Sequence, residues 1–330
     1  MAAPGKPLLP APLTPAPPGL TPIEVAMPAP ADCLASSGAR AVPSATVHRW
    51  IDTAGITHYS DQLPPASAKD RRVITLRGLP PITVQATGYD VGLPDQLQQR
   101  AVADALGVQR VLRDALGVAA ADAATLRVVF VHDASTYARL IGDPALATSA
   151  GAYSTAQHAI YVRLQEQDEA SFAILRHEIT HALLHTSVGN LPTALNEGLA
   201  EYFARYRTGG LGGQVDVGAD RQQIVIAAPS GDGSDALVDL LAHEGADFYA
   251  GSDAGRVQRY LRAYSLVALL MQGGEGRAAL GAVLSAQRTD PCRPIAAERV
   301  LDTHYRGGLP ALATAWAAFM RAPPQFVQAW

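Results

Sequence analysis

Apolar positions recur at helical spacing over most of this chain and alternate along only a few short stretches. Between residues 95 and 116, Leu97, Val102, Leu106, Val111, Leu112 and Leu116 keep a helical period, with Pro94-Asp95 as a start signal. Gly107 falls inside that run and leaves open a break into two shorter helices. Residues 126–131 are β-branched enough for a strand, and Asp133 is placed to cap a short helix carrying Tyr137 and Leu140. Residues 151–154 and 158–162 alternate like a hairpin. They lead into an apolar helix whose first turn holds Asp168 and Glu169. A second helix begins at Pro192 and carries Leu195, Leu199 and Phe203. Two glycine-rich loops, 208–213 and 229–234, then flank an expected pair of polar strands near Val215 and Ile224. Helical runs fill the rest, at 236–243, 256–271, 278–287, 295–305 and 310–320.

The N-terminal part reads differently. Residues 1–45 are dense in proline, alanine and small polar residues, too poor in large apolar side chains to offset the entropy of ordering. Residues 47–52 and 56–61 read as two short strands about a turn containing Gly55, followed by a linker, 66–82, with a strand expected at 73–76. Composition narrows the picture. At 330 residues, with 48% of them hydrophobic, the chain can bury a sizeable core. A net charge of −4 leaves no basic footprint, so nucleic acid is not an expected partner. No apolar run reaches the roughly 20 residues needed to span a bilayer. The start of the chain also lacks the charged-then-apolar pattern of a secretory signal peptide. Cys33 and Cys292 are too few for a disulfide framework or a metal cage. Pairing in an oxidising compartment and two separate thiols both stay open.

The chemistry concentrates in the two helices after the hairpin. His177-Glu178-Ile179-Thr180-His181 puts two imidazoles four residues apart, one above the other on a single helix face. Glu178 is rotated about 100° from His177, beside the shared point of the two rings, where it can take a proton from an attacking water. Glu197 follows on the next helix and can turn back as a third ligand. Glu201, one turn on, can accept from the free ring N–H of a liganding histidine. Two histidines and a carboxylate suit zinc (Zn2+) with one position left open. A structural zinc needs no base beside its ligand and prefers closed, thiolate-rich coordination.

HEITHALLH followed by LPTALNEGLAEYF resembles the gluzincin metallopeptidases, most closely their peptidase MA-like branch. The resemblance implies His177, His181 and Glu197 as zinc ligands, Glu178 as general base and Glu201 behind a ligand. The rival H-E-x-x-H-x-x-G-x-x-H pattern fails, because Leu184 and Ser187 stand where glycine and histidine would be required. His185 is expected at the helix surface or behind a ligand. The aminopeptidase branch has a G-x-M-E-N motif on its edge strand, whereas this chain reads Gly151-Ala152-Tyr153-Ser154-Thr155, so a dedicated aminopeptidase is not expected. The resemblance also implies an oxyanion donor from the C-terminal half. Tyr260, in a run resembling the family's Y-x-x-x-W-x-L-V helix, comes first, with Tyr264 and His243 as alternatives.

Residues 48–65, with Arg49-Trp50-Ile51-Asp52 and His58-Tyr59-Ser60-Asp61, resemble a small domain of unknown function found near the N-terminus of many Gram-negative envelope proteins. The expected fold is therefore α+β: a gluzincin-like catalytic domain with a small mixed sheet and an all-helical C-terminal lobe, after a small β-hairpin module and a disordered tail. The expected divisions are 1–45, 46–82, 83–207 and 208–330. The expected activity is hydrolysis of a peptide or protein substrate in the periplasm or outside the cell. The N-terminal module is a candidate docking point for an envelope partner. Two other readings stay open: a non-catalytic envelope scaffold with a vestigial or structural metal site, and a zinc hydrolase cutting a non-peptide bond of the cell wall.

Overall fold

β-Branched residues and alternating burial set the strands, and long one-sided apolar stripes set the helices around them. The computed structural model describes residues 44–330 apart from 54–56, 61–62, 78–81, 119–124, 143–145, 210–211, 219 and 325–326. Most of the expected N-terminal tail, the Gly55 turn, Asp61 and Cys33 lie outside the described residues. The first strand already begins at Ser44, inside the stretch expected as tail.

Strands β1 (Ser44–Ile51), β2 (Thr57–Ser60) and β3 (Lys69–Arg77) form an antiparallel sheet in the order β2-β1-β3. The expected hairpin thus gains a third strand, longer than 73–76, paired along β1 with a bulge between Arg49 and Ile51. Arg49 Nη1 donates to Asp70 Oδ2 at 2.8 Å across this pair.

β4 (Thr83–Gly88), α1 (Asp95–Leu116), β5 (Thr125–Val131), α2 (Ala134–Ile141), β6 (Gly151–Ser154) and β7 (Ala159–Arg163) build the main sheet and its covering helices. The sheet order is β4-β5-β7-β6, with β4, β5 and β7 parallel and β6 antiparallel on the edge. α1 is one continuous helix. Gly107 does not break it, because a side chain there would meet the Tyr206 ring at 2.5 Å, so glycine serves a close approach instead. Asp133 caps α2 as expected, accepting from Thr136 N.

α3 (Asp168–Ser187) lies against α1 and the sheet, and α4 (Thr193–Ala204) turns back along it. The connection is tight. Gly189 has φ +101, and a Cβ there would strike the Pro291 carbonyl oxygen at 2.3 Å. Asn190 N donates to that same oxygen at 2.7 Å, and Asn190 Nδ2 donates to Cys292 O at 3.1 Å. The angle between α3 and α4 is thereby fixed from outside by the 291–292 segment.

β8 (Tyr206–Gly209), β9 (Gly212–Asp216), α5 (Arg221–Ile226), α6 (Ser234–Ala242), α7 (Ala246–Tyr249), α8 (Asp253–Gln272), α9 (Gly274–Gln287), α10 (Ala297–His304), α11 (Gly308–Arg321) and β10 (Val327–Ala329) complete the described chain. The C-terminal part is not all-helical: β8, β9 and β10 make a second antiparallel sheet, with β8 straddling position 208. Ile224 is helical and fully buried in α5, so only β9 answers to the expected strand pair there. A short apolar run packs equally well from either geometry, and the core side decides.

The main hydrophobic core runs without interruption from α1 and the sheet through α3 and α4 to α8, α9 and α11. Trp316 of α11 is fully buried and donates its indole N–H to Ser265 Oγ of α8 at 2.8 Å. A smaller cluster, including Tyr137 and Tyr161, fills the space under α2 on the other sheet face. α4 meets α8 at Gly198, where any Cβ would lie 2.5 Å from the Ala263 carbonyl oxygen. Glycine there lets the two backbones touch, which seats the neighbouring Glu197.

Candidate metal centre

α3 brings His177 and His181 to one face, as i,i+4 spacing demands, and α4 crosses in front of them. The two Nε2 atoms are 3.1 Å apart, and Glu197 Oε2 lies 3.4 Å from the first and 3.6 Å from the second. These three residues are the group among the described residues whose ligand atoms converge as a metal site requires. Glu197 is 4% exposed, and its Oε2 is buried without a hydrogen-bond partner. A buried carboxylate oxygen is costly to leave unmatched. Facing two imidazole nitrogens, it forms a donor set of two nitrogens and one oxygen that fits a borderline divalent cation.

The rings are held from behind. His181 Nδ1 donates to Asn196 Oδ1 at 3.1 Å, and His177 Nδ1 lies 3.3 Å from Glu201 Oε1. In the neutral rings each contact favours the proton on Nδ1 and leaves the Nε2 lone pair toward the site. Glu201 is itself fixed by Arg205, whose Nη1 donates to Oε2 at 2.7 Å. Arg205 also pairs with Asp220 and stacks 4.0 Å over the Tyr264 ring.

Charge follows from this packing. Burial opposes a charged imidazole at His177, but Glu197, Glu201 and Glu178 outweigh it and lift its pKa well above 6.5. His181 is raised in the same way, against its own burial, chiefly by Glu197. Glu197 is driven low by the two histidines despite its burial, and Glu201 falls to about 2 through His177 and Arg205 against the same penalty. Burial raises Glu178, and the nearby imidazoles only partly offset it.

The sign of the pH dependence is fixed by these directions. In the ion-free protein, stabilisation from His177 and His181 is full below pH 6.5 and is lost as pH rises through their raised folded-state values. Cation binding needs both rings neutral, so affinity rises with pH over the same window. The melting temperature of the ion-free protein is thus expected to fall as pH rises above 6.5, while the increment on adding a divalent cation grows. Calorimetry with and without the cation measures both.

Glu178 is 7% exposed and follows His177 directly on α3. Edge strand β6 presses on it: a Cβ at Gly151 would lie 3.0 Å from Glu178 Oε1, and the Tyr153 backbone N–H favours its ionised form. Tyr260 of α8 lies within electrostatic reach of the carboxylates of the site. Its ring packs on Phe248 at 5.5 Å and Tyr249 at 6.5 Å between centroids. Burial, then Glu197, Glu201 and Glu178, raise its pKa. The two alternatives are placed differently. Tyr264 is fully buried under Arg205, and His243 donates to its own helix at Asp239 O, 2.6 Å away. His185 is buried rather than on the helix surface, 3.3 Å from the Tyr153 hydroxyl, because β6 covers that end of α3.

Asn196, Arg205 and Tyr249 were not singled out from sequence. Arg205 was legible as the i+4 partner of Glu201, and Asn196 as the neighbour of Glu197. Tyr249, whose hydroxyl donates to Glu197 Oε1 at 2.6 Å, lies 52 residues away on α7 and carries no local signal.

A family described as Domain of unknown function (DUF4124) matches residues 33–88. The chain thus carries that small domain where residues 48–65 pointed to it. The match runs on through β4, a strand of the main sheet. No curated protein matches the chain significantly.

Proposed function

We propose that this protein is a zinc-dependent peptidase of gluzincin type, in the peptidase MA-like branch, acting in the periplasm or outside the cell. The convergence of His177, His181 and Glu197 with buried Glu178 beside them carries this reading. Two features support the compartment: the N-terminal domain resembles one common in envelope proteins, and Cys292 is disulfide-bonded. No helix among the described residues is long and apolar enough to cross a membrane.

His177, His181 and Glu197 would hold the ion. Zinc there would supply a water of near-neutral pKa and would polarise the scissile carbonyl. Glu178 accepts the proton of the attacking water and returns it to the leaving amine, a shuttle favoured by the upward shift that burial gives it. β6, open on one edge, pairs with extended substrate backbone. Tyr260, within electrostatic reach of the three carboxylates, donates to the oxyanion.

The test is metal content by emission spectroscopy together with cleavage of an unfolded protein substrate. The expected result is one zinc per chain, with cleavage lost to a chelator and restored by Zn2+. A chain that takes up no zinc refutes the proposal.

Gly151 offers a finer check. Alanine there would place a methyl 2.4 Å from Ile174 Cγ2 and 3.0 Å from the Glu178 side chain. The expected cost is about 1–3 kcal/mol of stability. Turnover should fall further than zinc content, because the base moves and the ligands do not. Urea midpoints and kcat on the zinc-loaded variant decide it.

A further inference from the structure

The two oxygens of Glu197 stand in different surroundings. Oε2 faces both Nε2 atoms and has no hydrogen-bond partner. Oε1 accepts a short bond, 2.6 Å, from the Tyr249 hydroxyl. A phenol donating to a carboxylate at that distance forms a charge-assisted bond, stronger than a neutral one.

The phenol is on a fixed platform. Glu244, just before α7, accepts from Thr193 N at 2.9 Å and Thr193 Oγ1 at 2.8 Å, at the first turn of the helix that bears Glu197. Gly245 N donates back to Thr193 Oγ1 at 2.8 Å. Phe248 is fully buried, and Arg259 donates to the carbonyls of Phe248 and Ala250. Gly245 and Gly251, at φ +50 and +89, turn the chain into and out of this short helix. Tyr249 is therefore tied to the frame of α4 and α8, and its bond to Oε1 is directed.

We propose that Tyr249 is a positioning residue that makes Glu197 a one-oxygen ligand. The inference rests on the metal-centre reading above. A carboxylate with both oxygens free can close on a cation through both. With Oε1 engaged by Tyr249, only Oε2 is presented, and the position the second oxygen would take stays open for water or substrate. The bond also fixes the carboxylate plane, which raises affinity by ordering the ligand beforehand.

The test uses the full chain as wild type, Tyr249→Phe and Tyr260→Phe, each freed of metal and titrated with Zn2+ against a chromophoric chelator and with Co2+ by visible absorption. Phenylalanine keeps the ring packing on Phe248 and Tyr260, so the metal-free melting temperature should fall only by the loss of the one hydrogen bond to Glu197. Tyr249→Phe should weaken zinc binding by about 10- to 100-fold. It should also dim the cobalt band, as an intense four-coordinate spectrum gives way to a weaker five-coordinate one. Tyr260→Phe should leave both readings unchanged. Wild-type affinity and an unaltered cobalt spectrum in Tyr249→Phe overturn the inference while leaving the metal centre standing. Failure of the wild type to bind either ion removes both. The cobalt spectrum reports only chains that hold the ion, so it decides the matter even if the variant loses stability.

Discussion

Glu178→Gln is expected to lower peptide hydrolysis by about 10²- to 10⁴-fold while zinc content stays at the wild-type value. The substitution keeps shape and removes only the ability to carry a proton. Glu178 is not among the converging ligand atoms, so the ion has no reason to leave. Its surroundings hold the replacement in place, since Gly151 and the β6 backbone press on the side chain from one direction. Stability should move the opposite way. Burial raises the folded-state pKa of Glu178, so above its unfolded value the ionised carboxylate costs stability, and glutamine removes that cost. An inactive variant that melts no lower than wild type would identify a residue kept for chemistry against stability. Full turnover by the zinc-loaded glutamine variant would rule out Glu178 as the base, and with it the mechanism.

The largest stability effect is expected two residues earlier. Arg176→Met should cost about 3–5 kcal/mol, because it strands a buried charge. Arg176 and Asp104 are 1% and 2% exposed at their side chains and pair at 3.0 Å. The same guanidinium donates to Glu169 at 2.8 Å and to the Ala204 carbonyl at 2.8 Å, at the C-terminal end of α4. One side chain thus ties α1, the first turn of α3 and the end of α4 together. Without it, Asp104 keeps only Thr208 Oγ1, at 2.7 Å. The double variant Arg176→Met with Asp104→Leu should recover much of the loss, since a buried ion pair replaced by apolar groups of similar volume is often nearly neutral. Urea midpoints of the two singles and the double close the cycle. A single-variant loss below about 1 kcal/mol would show the network to be dispensable. Because α3 and α4 carry the three proposed ligands, zinc affinity is expected to fall in the single variant and return in the double.

Much of the site was legible along the chain because helices convert spacing into direction. Residues 177 and 181 share a face by the period alone, and 197, 201 and 205 follow one another up α4 by the same rule. The cap at Asp133 and the edge hairpin before α3 were readable for the same local reason. Other features depend on what lies across the interface. Gly107 looked like a helix break and is a seat for the Tyr206 ring. Ile224 looked like strand and is helix, because a short apolar run is buried equally well either way. The second sheet joins β8 and β9 to β10, and β10 comes more than a hundred residues after its partner.

The sequence by itself determined that His177 and His181 share one face with Glu178 next to them, since i,i+4 geometry is intrinsic to a helix. It also pointed to the small domain of unknown function that precedes them. Only the tertiary structure decided that Glu197 meets the imidazoles through one oxygen and Tyr249 through the other. The same is true of Gly151 against Glu178 and of Arg176 fixing the helices. These are contacts between elements distant in the chain. They depend on backbone approach and burial, which no spacing rule encodes.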